Sequence, residues 1–473
     1  MKRKLVFVLV GAALTGCAVL PDPHELPRMH TYNAKASFAA PATTAWPSDS
    51  WWRNYGDAQL DALVAEALAG SPTMAVAKAR LDRAQASAQI AGAPLYPQVS
   101  ANASNTMQKQ SYNYLTPRSA TPEGWNDYSR ATLDFSWEMD FWGKNRAALA
   151  AATSELEATR ADQAQARITL ATSIASSYAE LARLHAALDT ARAARDVRTK
   201  TAELFRQRYA NGLETLASVR QAESRRAASE AEVLSLEESL GLQRNRIAAL
   251  VGAGPDRGLS ITPPAVDLAK SFGLPAELPA ELLGRRPDIV GARLRVEAAA
   301  KRIDQSKAAF YPNVNLTAFI GAQALHINNL GKSGSDIGSF GPAVSLPIFD
   351  GGRLRGQLRG SEADYADAVA NYDQTVIQAL QDVADAATSQ RLLGGQIART
   401  DESVEAAREA WRIQGNRYQG GLATYLDVLT AEETLLSSLR TQTDLHSRSF
   451  ALDVALVRAL GGGYSNTQKR EHS

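Results

Sequence analysis

Few residues of this 473-residue chain stand at spacings that support catalysis or metal binding. The tripeptide Gly331-Lys332-Ser333 resembles the end of a phosphate-binding loop, but His326 stands where that loop requires glycine. No Gly-x-Ser-x-Gly nucleophile motif occurs. No pair of histidines has metal-ligand spacing. The histidines are His24, His30, His185, His326, His446 and His472. We therefore expect no enzyme activity, no metal site and no cofactor.

Cys17 is the one residue placed for covalent chemistry, and it is the only cysteine. A basic start, Lys2–Lys4, precedes an apolar segment that is too short to span a bilayer. Leu14-Thr15-Gly16-Cys17 then resembles a bacterial lipobox. The resemblance implies a signal peptide at 1–16, acyl chains on Cys17, and a lipid-anchored linker at 17–50.

The residue after Cys17, the net charge and the hydropathy limit which membrane and which partners we expect for the chain. Ala18, not Asp, follows the cysteine, which in lipoproteins implies sorting to the outer membrane of a Gram-negative bacterium. Removing the signal leaves 48 of the 51 basic residues against 50 acidic ones, so we expect no nucleic-acid partner. No run of 18 apolar residues follows Cys17, which predicts no transmembrane helix. A mature chain that crosses a membrane would then do so as a closed β-barrel.

One motif, Arg-Tyr-x-x-Gly-Leu, occurs twice, at 208–213 and 417–422. Each copy interrupts a long Ala-rich helical pattern. Glycine after a helix supplies the left-handed residue that ends it, so each motif predicts a tip where two antiparallel helices meet. The predicted tip residues are Gly212, Leu213, Gly420, Gly421 and Leu422.

The duplication extends over most of the chain. Tyr96-Pro97 corresponds to Tyr311-Pro312, with about seven extra residues following in the first copy, where we predict a surface loop. The period is too long for a solenoid repeat. We predict a first structural repeat at 51–270, a second at 271–461, and a disordered tail at 462–473.

Each repeat contains a very long helix followed by a shorter return helix. The segment from Gly143 to Tyr209 has no proline and no internal glycine, and its apolar residues recur at steps of three and four. About 65 residues at 1.5 Å each predict a rod of roughly 100 Å. The return helix is predicted at Leu216 to Leu250. In the second repeat, the long helix is predicted at Arg353 to Tyr418 and the return helix at Thr424 to Leu460.

Two amphipathic strands precede each long helix. In the first repeat, odd positions from Ala131 to Met139 are apolar and even positions from Arg130 to Glu138 are polar, and a similar alternation begins at Val99. The second-repeat strands are predicted at Val314 to Gly321 and Phe340 to Phe349. The polar face could contact bulk water in a sandwich or an aqueous lumen in a transmembrane barrel, and alternation alone does not separate these.

Aromatic residues lie where the predicted strands meet the helices. If each strand pair is a hairpin, these rings form a membrane-interface girdle. The alternative is ordinary packing where helix meets strand. The residues are Tyr96, Phe141, Trp142, Phe310, Tyr311 and Phe349.

The lipobox, the helix–strand–strand–long helix–tip–helix repeat and the Tyr-x-x-Gly-Leu tips resemble the outer-membrane efflux protein family. This is the TolC-like group, in its lipidated NodT-type or OprM-like branch. The resemblance implies a mainly α fold with a small β part. In a homotrimer, four strands per chain would form a shared transmembrane β-barrel, continued by a long α-helical coiled-coil barrel. It also implies a periplasmic membrane-fusion adaptor docked at the tips and an inner-membrane pump, proton-driven and of the RND type.

The two tips differ at a position that the family uses for its periplasmic gate. Asp427 matches an aspartate of that constriction, and Tyr418 matches the tyrosine of the same tip. The arginine of the family is absent because position 423 is Ala. On three-fold symmetry, facing Asp427 carboxylates would have raised pKa values and attract cations. The alternative is a solvated acid in the first turn of a helix.

The resemblance implies a passive exit duct for drugs or other small molecules. Two alternatives stay open: the same fold serving type I protein secretion or metal-ion export, and a coiled-coil structural lipoprotein without a pore. The chain has only five methionines, and these do not cluster, which favours organic substrates over metal ions.

Overall fold

The computed structural model describes residues 25–32, 46–114, 116–266 and 284–465, which are mostly helical around one four-stranded sheet. The first half contains α1 (Ala58–Gly70), α2 (Pro72–Gly92), β1 (Gln98–Gln108), β2 (Asn126–Met139), α3 (Lys144–Ala210), α4 (Leu216–Leu250) and the short α5 (Asp256–Leu259). The second half contains α6 (Pro287–Ala308), β3 (Asn313–Leu325), β4 (Asp336–Ser345), α7 (Arg353–Gln419) and α8 (Tyr425–Ala459).

Matching element lengths confirm the internal duplication. The long helices α3 and α7 have 67 residues each, and the return helices α4 and α8 have 35 each. Their ends lie within one residue of the predicted positions. The connection between β1 and β2 (109–125) is seven residues longer than that between β3 and β4 (326–335), as the offset between the repeats predicts.

An aspartate caps the start of each long helix. The carboxylate of Asp140 accepts hydrogen bonds from the backbone N–H groups of Asn145 (3.1 Å) and Arg146 (2.9 Å). Asp350 accepts from the backbone N–H groups of Gly352 (3.0 Å) and Leu354 (2.9 Å). These bonds satisfy N–H groups that have no partner inside the helix, so each long helix has a fixed starting point.

The sheet is antiparallel with the order β1-β2-β3-β4, and the pairing of β2 with β3 joins the two halves. The bounds predicted for the second-half strands were wrong. Strand β3 continues four residues past Gly321, and β4 begins and ends four residues before the predicted positions. The cause is pairing: Gly321 and Ala322 lie opposite Ile337 and Asp336, so the ladder includes residues whose own alternation is weak.

The chain forms two compact units that cut across the predicted repeats. The sheet belongs to the first unit and both helix tips belong to the second. The first unit is drawn from Met1–Met29, Leu81–Thr159 and Ala292–Asp373, and the second from His30–Arg80, Arg160–Gly291 and Gln374–Ser473.

The core of the second unit forms where α1 begins. Trp51 and Tyr55 are buried there. Asp57 is the N-cap of α1 and accepts two backbone N–H groups of that helix. The same carboxylate accepts the hydroxyl of Tyr178 on α3 (2.7 Å) and the backbone N–H of Ala265 (2.8 Å). One buried acid therefore joins three parts of the chain.

One segment of the described chain, Ala58–Leu95, is long and apolar enough to cross a membrane by length and composition alone. Core helices pass the same test, so this segment does not contradict the sequence prediction of no transmembrane helix. The segment is divided into α1 and α2, and α1 buries Leu60, Leu63 and Val64 in the core. α2 has no buried residue, so the burial is confined to α1.

The predicted disordered tail starts too early. Gly462 is buried, and a side chain there would meet Ile168 at 2.9 Å. The described chain continues to Ser465, so packing extends at least past the predicted boundary at 462.

Candidate functional site

Both helix tips use the same backbone turn. Gly212 and Gly421 have φ values of 68° and 71°, and the next amide donates to the carbonyl five residues earlier at 2.8 Å in both tips. This is a Schellman turn, which glycine adopts without steric cost. Gly420 has no positive φ. The turns leave Leu213 and Leu422 65% and 73% exposed, so each tip presents an exposed leucine.

Threonine caps the return helix at each tip. Thr215 accepts the N–H of Ser218 at 3.2 Å. At the second tip, Thr424 accepts the N–H of Asp427 at 3.4 Å, and the Asp427 carboxylate accepts the N–H (2.8 Å) and hydroxyl (2.7 Å) of Thr424. This is a capping box. The hydrogen bonds from Thr424 lower the pKa of Asp427 within one chain, whereas facing copies in a trimer were expected to raise it.

Three aromatic rings pack between the two tips. Phe205 is 1% exposed, and its ring centroid lies 3.9 Å from that of Tyr425 and 6.1 Å from that of Tyr418. The Arg208 guanidinium lies over the Tyr418 ring at 5.0 Å. Tyr418 and Tyr425 come from the second tip and Phe205 from α3, so the rings join the two helical hairpins.

A hydrogen bond also joins the tips, from the Tyr418 hydroxyl to the Glu214 carboxylate at 3.1 Å. Burial raises the pKa of Glu214, but hydrogen bonds from Thr215, Ser218 and Tyr418 lower it overall. Burial and the bond to Glu214 raise the pKa of Tyr418. Sequence reasoning missed Glu214. The available signal was that the equivalent position of the second tip is Ala423.

The sheet has one apolar face that continues across all four strands. Val99 pairs with Phe135, Phe135 with Ala318, and Ala318 with Phe340, so all four side chains lie on one face. Val99 and Phe340 are 62% and 77% exposed. An exposed apolar face of this extent indicates a membrane or protein contact.

The other face of the sheet is polar and carries its own hydrogen bonds. Asp134 accepts from the Asn102 amide (2.9 Å) and the Thr132 hydroxyl (2.8 Å). Arg130 lies over the Phe319 ring at 5.1 Å. This separation of faces is typical of a strand between lipid and an aqueous lumen.

Four of the six aromatics predicted for the membrane interface are well exposed. Tyr311 is half-buried and stacks on Trp142 with ring centroids 4.8 Å apart. Phe310 is 5% exposed and packs in a core cluster, which contradicts an interface position for it. Two of its neighbours there, Leu354 and Leu358, lie far from it in sequence at the start of α7, so only the fold determined the direction of this ring. The four exposed aromatics are Tyr96, Phe141, Trp142 and Phe349.

Cys17 lies outside the described residues, so its acylation stays a prediction. Within the described ranges, no group of three or more His, Cys, Asp or Glu residues could hold a metal ion.

The fold, its two helix tips and its amphipathic sheet define an outer-membrane exit channel. Residues 63–253 and 278–462 match the outer membrane efflux protein family, and the chain belongs to that family. It is a TolC-like outer-membrane duct of an efflux system in Gram-negative bacteria, and members of the family are channels, not enzymes. Channels of this family work with an adaptor and an inner-membrane pump.

Individual relatives agree with this assignment. The chain is 32% identical over 476 residues to the multidrug resistance outer membrane protein MdtP of Escherichia coli K12, covering 98% of this chain and 97% of that protein. It is 37% identical over 369 residues to the fusaric acid resistance protein FusA of Burkholderia cepacia, covering 76% and 69%. The crystal structure of VceC from Vibrio cholerae superposes with a TM-score of 0.84 at 51% identity, covering 89% of this chain and all of VceC. The predicted family, fold class and duct function are confirmed.

Proposed function

We propose that the protein is a lipid-anchored homotrimeric duct that passes drugs or other small organic molecules out of the cell. The two repeats, 51–270 and 271–461, would contribute equivalent halves to each of three subunits. The duct itself is passive, and the inner-membrane pump supplies the energy.

The main support for the trimer is that the sheet is open. Within the described residues, β1 and β4 each pair on one side only, so the sheet has two free edges. Free edges do not persist in a bilayer, because unpaired backbone groups there cost several kcal/mol each. Four strands are too few to enclose an aqueous lumen. Three copies joined edge to edge would give twelve strands, with the apolar face toward lipid and the polar face toward the lumen.

The lipid anchor rests on the sequence around Cys17. A single acyl chain binds a membrane only weakly, and each buried CH₂ adds about 0.8 kcal/mol, so the multiple chains of a lipoprotein give stable attachment. The exposed rings of Tyr96, Phe141, Trp142 and Phe349 would lie at the membrane–water interface.

The tips are proposed as the docking point for the periplasmic adaptor and as the gate. Exposed Leu213 and Leu422 offer apolar contacts to an adaptor. The Tyr418–Glu214 bond ties the hairpins together in one chain, and the capping box holds Asp427 at the start of α8. We propose that breaking these contacts lets the hairpins separate. The pump would be a proton-driven transporter of the RND type.

Drug export is favoured by the similarity to MdtP, a multidrug resistance protein, and to FusA, a fusaric acid resistance protein. Type I protein secretion and metal-ion export remain alternatives within the same fold, and the pump chooses between them.

Negative-stain electron microscopy of full-length protein, extracted from outer membranes in detergent, tests the trimeric duct. We expect three-fold particles with a hollow stalk. Dimers, solid rods or a protein that needs no detergent would overturn the proposal. Single-channel recording in planar bilayers tests conduction by the same preparation.

A further inference from the structure

An open cavity of about 300 Å³ lies beside the aromatic cluster, between α3, α7 and α8. Four rings line it: Phe205 from α3, Trp411 and Tyr418 from α7, and Tyr425 from α8. This volume is at the lower end of the range for small-molecule sites, which are typically apolar with a few fixed polar groups.

One buried acid lines the same cavity. Glu432 of α8 is 3% exposed, and its nearest cation is Arg198, with 3.6 Å between Oε1 and Nε. That separation is longer than a hydrogen bond, and the buried Arg198 Nε has no hydrogen-bond partner within the described chain. Burial raises the pKa of Glu432 although Arg198 and Arg225 oppose this. Its negative charge is therefore incompletely compensated, and a further cation nearby would stabilise it.

The other charged residue that lines the cavity is already paired. The Arg412 guanidinium donates two hydrogen bonds to Glu409, at 2.7 and 2.5 Å. Both side chains are more than half exposed, so this pair directs little net charge into the cavity.

We propose that this cavity binds a small lipophilic organic cation, with its charged group against Glu432 and its apolar part among the four rings. Aromatic faces attract organic cations, and the attraction strengthens when water is excluded. The Glu432 carboxylate would repel an anion, and a neutral compound would leave the carboxylate charge uncompensated. The inference rests on the proposed function in one respect: it makes the tip a substrate-binding point beside the Tyr418–Glu214 bond.

The test is a ligand-observed NMR titration of the full-length trimer in detergent with benzyltrimethylammonium, using benzyl alcohol as the neutral comparison. We expect saturable binding of the cation, with a Kd on the order of 1 mM or tighter for a ligand of this size. Glu432→Gln should weaken it at least tenfold. Glu405→Gln is the matched control, since this acid of α7 is exposed, pairs with Arg408 and does not line the cavity.

A second variant covers the case in which Glu432→Gln does not fold. Gly415 lines the cavity, and a Cβ atom placed there meets no atom within 4 Å, so Gly415→Leu should fill the cavity and abolish binding. Leucine is a better helix former than glycine, so folding is preserved. Gly394→Leu, on the same helix but away from the cavity, should bind normally.

The inference is overturned if benzyl alcohol binds as tightly as the cation, or if Glu432→Gln or Gly415→Leu binds as well as the unchanged protein. Single-channel recording without ligand separates the two proposals. A protein that conducts but shows no saturable binding overturns this inference alone. A protein that binds the cation through Glu432 but does not conduct overturns the duct alone.

Discussion

The Tyr418–Glu214 bond offers the sharpest test of the gate. Tyr418→Phe removes one hydroxyl and keeps the ring that packs on Phe205 and Arg208. The two hairpins would then keep their aromatic contacts and lose the hydrogen bond. We expect the closed state to weaken while the fold is retained.

The size of the effect follows from the bond. Tyr418 and Glu214 are both half-buried, so we assign the bond about 1 kcal/mol, below the range for buried bonds to charged groups. This energy is about a fivefold change in the opening equilibrium of one hairpin pair. If three subunits open together, the contributions sum to about 3 kcal/mol, or roughly a hundredfold.

Open probability in planar bilayers measures this equilibrium directly. The matched control is Tyr209→Phe, which changes the equivalent tyrosine of the first tip; Tyr209 is 45% exposed. Glu214→Gln should resemble Tyr418→Phe, and the double variant should add little to either, because both remove one interaction. Unchanged open probability in Tyr418→Phe, or an equal rise in Tyr209→Phe, would refute the role of this bond.

The same bond predicts a dependence on pH. The pKa of Glu214 lies below its ordinary value of 4.5, so the folded tip favours the charged carboxylate. Its contribution to the closed state is present above pH 4.5 and is lost as the pH falls through the lowered pKa. Open probability should therefore rise in acid for the unchanged protein. Glu214→Gln should lose this rise, and an identical acid response in that variant would exclude Glu214 as its source.

Three further predictions concern the anchor, the tip and the core. Cys17→Ser should abolish acyl labelling, and persistent labelling would disprove the anchor. Gly421→Ala should destabilise the second tip by about 1–2 kcal/mol, because Gly421 has a positive φ that is unfavourable for alanine. Gly420 has no positive φ, so Gly420→Ala should be tolerated. Rates of proteolysis at the tip compare the two variants, and equal rates would contradict the turn argument. Asp57→Ala should lower the free energy of unfolding by about 2–4 kcal/mol, since it removes a helix cap and leaves buried donors unpaired. Asp82 is exposed, so Asp82→Ala should change the melting temperature little. Equal melting temperatures for the two variants would refute the buried network.

The sequence predicted the elements whose signals are local. Glycine at 212 and 421 marked both tips because helix termination requires a left-handed residue within a few positions. The ends of the long helices were predicted to within one residue, because no proline and no capping signal interrupts their helical pattern. Strand β2 was predicted from its alternation. The second-half strands were less accurate, because Gly321 and Gly338 dilute the alternation and pairing alone extends the ladder.

The site depended more on tertiary contacts. Tyr418 and Glu214 are 204 residues apart, so no local spacing signals their hydrogen bond. No local sequence signal marks Glu432, yet packing of α3 against α8 buries it beside Arg198. Phe310 looked equivalent to the exposed interface rings, but Ile303 and Leu354 enclose it.

The sequence by itself determined the duplication, the helix ends and the alternation of the strands, because helix caps, glycine turns and side-chain period act over a few neighbouring residues. Only the tertiary structure decided which acid meets Tyr418, which aromatic is buried, and that the amphipathic strands form one sheet with two free edges. Those outcomes depend on contacts between residues far apart in the chain, and burial changes the energy of a charge or a ring according to what surrounds it.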